Sequence, residues 1–190
     1  MDLEIYVNMD ELISKSSLIA IGRVIKKGDV INAARDIKDI TQPDPNIYIV
    51  GQVYVFQVDR YLKGSGEQTI SIVQPEGILG ESTQKNQTNI EEARLNYKYI
   101  PMELYNEYLV FLNPLVGFSK GEYYIGSIHP WRFDISNPEK VVPESPWEGS
   151  NKVFPSQTLS ALLYQIEHPE ISPTPGTAIN TYPPPGTPYP

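Results

Sequence analysis

The sequence predicts a mainly β domain, a small closed barrel or sandwich with helices near its two ends. Several segments are rich in β-branched and aromatic residues, most clearly residues 47–64. Turn sequences separate these segments, such as Gly-Ser-Gly at 64–66. Clear helical patterns occur only towards the chain ends. Many strands with terminal helices are typical of an all-β layer architecture.

Six or seven strands are expected from the apolar segments and the turns between them. The predicted strands cover residues 17–28, 47–64, 69–74, 107–114, 122–128 and 132–135, with a short hairpin completed at 140–142. Gly22 interrupts the first strand and indicates a bulge or a sharp bend. The polar residues 29–46 predict a surface excursion. Residues 77–96 are ambiguous, with one or two helical turns at 89–95.

A short helix is predicted near each end of the domain. Asn8 or Asp10 can cap the first, over residues 11–17. The second covers residues 155–167 and can be capped by Ser156. Its apolar residues recur with helical spacing and predict a face packed on the sheet: Leu159, Leu162, Leu163 and Ile166.

The order and spacing of these elements favour an OB-like Greek-key β-barrel of five strands, with a β-sandwich as the alternative. Residues 1–168 make up this domain with its flanking helices. Pro169 ends the last helix, and residues 169–190 form an extended Pro-rich tail.

Composition excludes several classes of function. The chain has 190 residues, of which 40% are hydrophobic, enough for one packed domain. It has no cysteine, which excludes disulfides, Cys-ligated metals and thiol catalysis. The formal net charge is −8 and no basic stripe is present, so nucleic acid is not an expected partner. No apolar run is long enough for a membrane span.

The composition also favours a place outside the cytoplasm. The chain contains 13 tyrosines and 18 prolines. Its first residues, Met-Asp-Leu-Glu, have neither the basic start nor the apolar core of a signal peptide. We therefore expect an extracellular or cell-envelope protein whose leader has been removed.

Five sequence blocks together resemble a known module. They are SSLIAIGRVIKKG, VYVFQVDRYLKG, TISIVQPEG, NEYLVFLNP and YYIGSIHPWRFDI, within residues 16–135. This succession resembles the netrin-like module, the OB-type barrel also found in tissue inhibitors of metalloproteinases. It also looks like bacterial envelope proteins with the same order of strands and turns.

The resemblance implies a stable barrel used as a binding or structural unit. Protease inhibition in that family depends on an N-terminal cysteine that chelates the protease zinc. Because this chain has no cysteine, the resemblance does not carry inhibition over to it.

No sequence motif predicts catalysis, and we assign no catalytic residue, no metal and no cofactor. Both histidines, His129 and His168, lack the partner motifs of catalytic histidines, so structural roles are favoured. Three loop carboxylates could hold a hard cation, but their spacing matches no calcium loop and solvated side chains are the simpler interpretation: Asp36, Asp39 and Asp44.

An aromatic group provides a candidate ligand surface. The aromatic residues close in sequence are Tyr123, Tyr124, Trp131, Phe133 and Trp147. Aromatic rings on OB barrels stack on bases or sugars, although packing in the core is the expected role of most of them. The surface we assign comprises Tyr124, His129 and Trp131.

The tail is the segment most suited to an interaction. In residues 172–190, 7 of 19 residues are proline, which favours stiff polyproline II that reaches roughly 60 Å. The stretch Thr-Ala-Ile-Asn-Thr-Tyr at 177–182 could add a strand to a sheet edge. The interaction residues we assign are Ile179, Tyr182, Pro183, Pro184, Pro185 and Tyr189.

Three functions are compatible with these features. The favoured one is a non-enzymatic extracytoplasmic protein whose tail docks on a neighbouring copy, as an oligomer or filament subunit. The alternative is a monomeric module that binds a sugar, peptide or protease and has an inert tail. The third, a hydrolase without a recognisable motif, has no sequence support.

Overall fold

A computed structural model describes residues 8–80, 86–127, 129–146, 150 and 154–169 of the chain. The mainly β prediction is confirmed. The three helices of these residues are α1 (Met9–Lys15), α2 (Gln87–Leu95) and α3 (Leu159–Glu167). The strands are β1 (Leu18–Asn32), β2 (Tyr48–Lys63), β3 (Thr69–Leu79), β4 (Glu107–Pro114), β5 (Tyr124–Gly126), β6 (Arg132–Asp134) and β7 (Val142–Pro143).

Five of the strands close into a ring. Their order is β1-β2-β3-β5-β4, and β4 pairs again with β1. The β3–β5 pair is parallel, whereas the other pairs of the ring are antiparallel. β6 pairs with β4 outside the ring, and β7 pairs with β6.

The strands β1 and β3 are longer than the sequence predicted. β1 continues to Asn32, so residues 29–32 are strand and not part of a surface excursion. β3 continues to Leu79, past the predicted end at residue 74. Both extensions pair with the first half of β2, and this pairing explains why locally polar segments are extended. The predicted irregularity at Gly22 is confirmed, since the β1–β2 register shifts there.

The helix caps agree with the prediction in one case and differ in the other. Asn8 caps α1, its Oδ1 accepting from the Glu11 N–H at 2.8 Å. α3 is capped by Thr158, not by Ser156. The reason is that Gln157 forms an isolated β-bridge with Val141, which keeps the chain extended up to the cap.

Alternating side chains of the ring strands contribute to two large hydrophobic clusters. One cluster takes residues from β1, β2, β3 and β4, which places it inside the ring; it includes Tyr54, Phe56, Ile72, Val110 and Trp131. The other lies between the outside of the sheet and the helices α1 and α3, and includes Leu12, Ile19, Phe111, Phe133 and Leu162. The terminal helices therefore cover the same outer face.

Candidate functional site

The three residues of the predicted ligand surface differ in exposure. Trp131 is 4% exposed and belongs to the core inside the ring. Its ring lies against Gly126, where an added Cβ would be 2.3 Å from the indole. Tyr124 is half-buried and packs against the same core, and His129 is half-buried. The indole face of Trp131 is therefore occupied by packing, whereas Tyr124 and His129 keep partial access to solvent.

Burial and a neighbouring positive charge keep the imidazole of His129 neutral over most of the pH range. Burial, and secondarily the positive charge of Arg132, lower the pKa of His129 from 6.5 to about 4. The unfolded chain takes up this proton near the ordinary pKa, but the folded chain takes it up only near pH 4. Protonation of His129 therefore removes stability as the pH falls through this window.

We expect His129→Gln to make the free energy of unfolding less dependent on pH under acidic conditions. Between pH 6.5 and 4 the variant should lose less free energy of unfolding than the wild type. Burial raises the pKa of Glu144, which acts in the opposite direction, but both proteins contain this group. Urea unfolding across this pH range measures the effect. Parallel profiles for wild type and His129→Gln would contradict the assignment.

Arg132 is the centre of a buried polar network next to His129. Only 2% of Arg132 is exposed. Its Nε is 2.6 Å from the Glu144 Oε2, and its Nη1 donates to the Gln74 Oε1 at 3.1 Å. Its Nη2 donates to the carbonyl oxygens of Ile100 at 2.5 Å and Pro101 at 3.3 Å. One guanidinium thus ties β6 to β3 and to the segment before β4.

A second network surrounds Glu76 of β3, which is completely buried. Arg94 of α2 places its Nε atom 2.9 Å from the Glu76 Oε2. The Tyr54 hydroxyl donates a hydrogen bond to the Glu76 Oε1 at 3.0 Å. Arg94 also donates to Gln52 at 3.0 Å and pairs with Glu91 at 2.7 Å. Burial and the Glu76 charge raise the pKa of Tyr54, so this hydroxyl stays a donor.

The two networks adjoin each other on one face of the sheet. Gln52 and Gln74 are direct partners in the β2–β3 register, and each belongs to one network. Arg94 and Arg132 each have a carboxylate within ion-pair distance, Glu76 and Glu144. Charges paired in this way fix the position of α2 and of the segment at 100–101, which is a structural role.

Sequence reasoning did not identify these residues. The available signal was the placement of Gln52, Gln74 and Glu76 at inward-facing positions of strands that are otherwise apolar on that side. A polar residue at such a position indicates a buried partner, because an unpaired one would be costly.

The loop carboxylates have local structural roles. Asp36 accepts a hydrogen bond from the Lys38 N–H at 2.8 Å, and Asp39 accepts from the N–H and hydroxyl of Thr41. Asp44 accepts from the N–H groups of residues 46 and 47. Each carboxylate stabilises its own turn. In the described part of the chain, no group of three or more acidic or histidine side chains is arranged to hold a metal ion.

Two grooves lie around the ends of α1 and α3. The first has a volume of about 410 Å³ and is bordered by Met9, Phe154, Gln157, Tyr164 and His168, among others. We call it the Tyr164 groove. The second has a volume of about 570 Å³ and is bordered by Ile13, Leu62, Lys63, Ile166 and Pro169, among others. Both volumes are in the range of ligand pockets.

The tail begins at these grooves. His168 borders the first groove and Pro169, the first tail residue, borders the second. The six tail residues to which we assign an interaction lie outside the described residues: Ile179, Tyr182, Pro183, Pro184, Pro185 and Tyr189.

Comparison with protein-family models and with curated proteins gives no relative from which a function could be transferred. No protein-family model matches the chain, and no curated protein matches it in sequence. The likeness to the netrin-like module therefore stays a prediction from the residues. None of the helices in the described ranges is both long and apolar enough to cross a membrane.

Proposed function

We propose that this chain is a non-enzymatic interaction protein, extracellular or in the cell envelope, that self-associates through its Pro-rich tail. The observation that carries the proposal is the position of the tail. Its first residue, Pro169, borders one groove, and the preceding residue, His168, borders the other. Binding sites are usually concave, and a proline-rich segment loses little entropy when it docks.

We further propose that the ring is an OB-type Greek-key barrel, as the resemblance to the netrin-like module implies. The five-strand order β1-β2-β3-β5-β4 with the closing β1–β4 pair supports this interpretation. A parallel β3–β5 pair and the helix α2 between β3 and β4 support it as well. Such a barrel is a rigid support for a terminal segment that acts as the binding device.

A second candidate is a monomeric module that binds a sugar, peptide or protease. It is favoured by exposed apolar side chains on two neighbouring loops, Ile37 at 92% and Val116 at 63% exposure. The loops touch through Arg35, whose guanidinium lies 3.6 Å from the centre of the Phe118 ring. These two loops are the first and the fourth connections between strands along the chain. OB barrels bind ligands at these two connections.

Removal of the tail tests the proposal. We expect the full chain to form a defined assembly and a chain ending at Ile171 to be a monomer of about 20 kDa, given the 21.4 kDa of the full chain. Light scattering coupled to size exclusion measures the mass, and circular dichroism confirms that the shortened chain is folded.

The two candidate functions predict different results in this experiment. If the full chain is itself a monomer over a wide concentration range, self-association through the tail is excluded and the loop surface at Ile37 becomes the better site. If the shortened chain assembles as well as the full chain, the assembly does not depend on the tail.

A further inference from the structure

We propose that the tail of one copy binds in the Tyr164 groove of a second copy, and that two copies exchange tails to form a closed two-fold dimer. This inference rests on the proposed function, and it adds the acceptor site and the symmetry of the assembly. The segment we assign to the groove is Tyr-Pro-Pro-Pro at 182–185.

The groove has the chemistry that proline-rich segments select. Tyr164 is 64% exposed on α3, and its ring stacks on that of His168 with 4.3 Å between centroids. Beside this stack, the amides of Gln157 and Gln165 meet at 3.4 Å. Polyproline II segments dock on aromatic-lined grooves, where flat rings contact prolines and side-chain donors can bind the free carbonyl groups.

The charges of the groove and the tail are compatible. Residues 171–190 contain no charged side chain. Among the described residues that border the groove, Asp10 is the only carboxylate. The two domains carry a formal net charge of −8 per chain and repel each other, so an uncharged tail is suited to join them.

Strand addition is disfavoured at the edges that the ring leaves unpaired. Beyond Arg23, β1 pairs only with β2 in the described sheet, so residues 26–32 form one edge. This edge carries the exposed Lys26 and Lys27 and has register shifts on both sides of them. The β3 edge contains Pro75, which lacks an N–H. Lysines, bulges and prolines are the features that protect edges against added strands.

The position of the groove favours reciprocal exchange. Tail and groove lie at the same end of the domain, because His168 borders the groove and the tail starts at the next residue. A head-to-tail filament needs donor and acceptor on different faces, whereas an isologous contact uses one face twice. The 14 residue-to-residue steps from 169 to 183 span about 43 Å as polyproline II, so the tail can reach a facing copy without turning back.

The first test is Tyr164→Ala in the full chain. We expect the wild type to have twice the 21.4 kDa chain mass. The variant should have a dimer dissociation constant raised roughly tenfold or more, because each tail–groove contact loses one aromatic side chain. Light scattering over a dilution series measures both. Leu95→Ala, which removes a side chain 87% exposed on α2, is the matched control and should leave the mass unchanged.

The second test mixes two full-length chains with complementary defects. One carries Tyr164→Ala, and the other carries Pro183→Ser, Pro184→Ser and Pro185→Ser. Each alone should be mainly monomeric, and the mixture should regain one of the two tail–groove contacts and form a weak heterodimer. Pro173→Ser with Pro175→Ser, outside the docked segment, is the control for general loss of proline.

The outcomes separate this inference from the proposed function. A tail-dependent assembly that Tyr164→Ala leaves intact would reject the groove and keep self-association through the tail. An open-ended assembly that Tyr164→Ala dissolves would reject the closed dimer. A monomeric wild type would reject the proposed function and, with it, this inference.

Discussion

Arg132→Met will lower the free energy of unfolding by about 3–5 kcal/mol, the cost of breaking a buried ion pair by removing one partner. The substitution leaves the Glu144 carboxylate without its guanidinium at 2.6 Å. It also removes the donors to Gln74 and to the Ile100 carbonyl. Methionine fills most of the volume, so the loss comes from unpaired polar groups and not from a cavity. Urea unfolding at neutral pH measures it.

The pH dependence of this loss identifies its cause. Burial already raises the pKa of Glu144, and Arg132 opposes that effect. Without Arg132 the carboxyl of the folded variant will keep its proton to higher pH than the unfolded chain does. A group with a raised folded-state pKa favours the folded state at low pH, so the destabilisation should shrink as the pH falls. Adding Glu144→Gln to Arg132→Met should recover part of the loss at neutral pH.

The matched control is Arg60→Met. Arg60 is also paired with a carboxylate, Glu167, at 3.8 Å, but its side chain is 52% exposed. An exposed pair contributes less than about 1 kcal/mol, so this variant should unfold close to the wild type. Equal losses for Arg132→Met and Arg60→Met would contradict the burial argument.

The strands of this protein could be predicted because their signals are local. The segment 47–64 has the β-branched and aromatic residues of a strand, and β2 occupies Tyr48–Lys63. β4 matches its predicted bounds at Glu107–Pro114. Gly22 indicated an irregularity because a glycine within an apolar strand often marks a bulge or a tight bend, and the register shift lies there.

The extensions of β1 and β3 could not be predicted in the same way. Residues 29–32 and 75–79 contain Asp29, Pro75 and Gly77, which are poor strand formers. They are extended because each pairs with β2, and this pairing depends on contacts between distant parts of the chain. Tertiary pairing overrides local propensity here, as it does elsewhere in β-sheets.

The polar networks and the grooves were missed for a related reason. Arg132 follows Trp131 directly, and neighbouring residues of a regular strand point to opposite faces, yet both side chains are buried. The partner Gln74 is 58 positions away, and no local pattern connects the two. The Tyr164 groove likewise lies between α1 and α3, which are close in space but far apart in the sequence. The tail, in contrast, is recognisable from composition alone.

Gly22→Ala will cost at least about 3 kcal/mol, more than most insertions of a methyl group into a core. An added Cβ would lie 2.0 Å from the Gln57 carbonyl oxygen and 2.7 Å from the Phe56 ring. The strand cannot move aside easily, because Gly22 pairs with Val58 of β2 and with Tyr108 of β4. Denaturant unfolding with circular dichroism measures the loss.

Gly80→Ala is the control for the exchange of glycine for alanine. A Cβ at Gly80 would meet no atom of the described residues within 4 Å, and the φ of Gly80 is not in the left-handed region. This variant should be as stable as the wild type or slightly more stable, since alanine restricts the unfolded chain. A Gly22→Ala protein within about 1 kcal/mol of the wild type would mean that the bulge can shift its register. In that case the ring can adjust its strand pairing at Gly22, where β1 pairs with both β2 and β4. The closed ring would then be less rigid than this double pairing indicates.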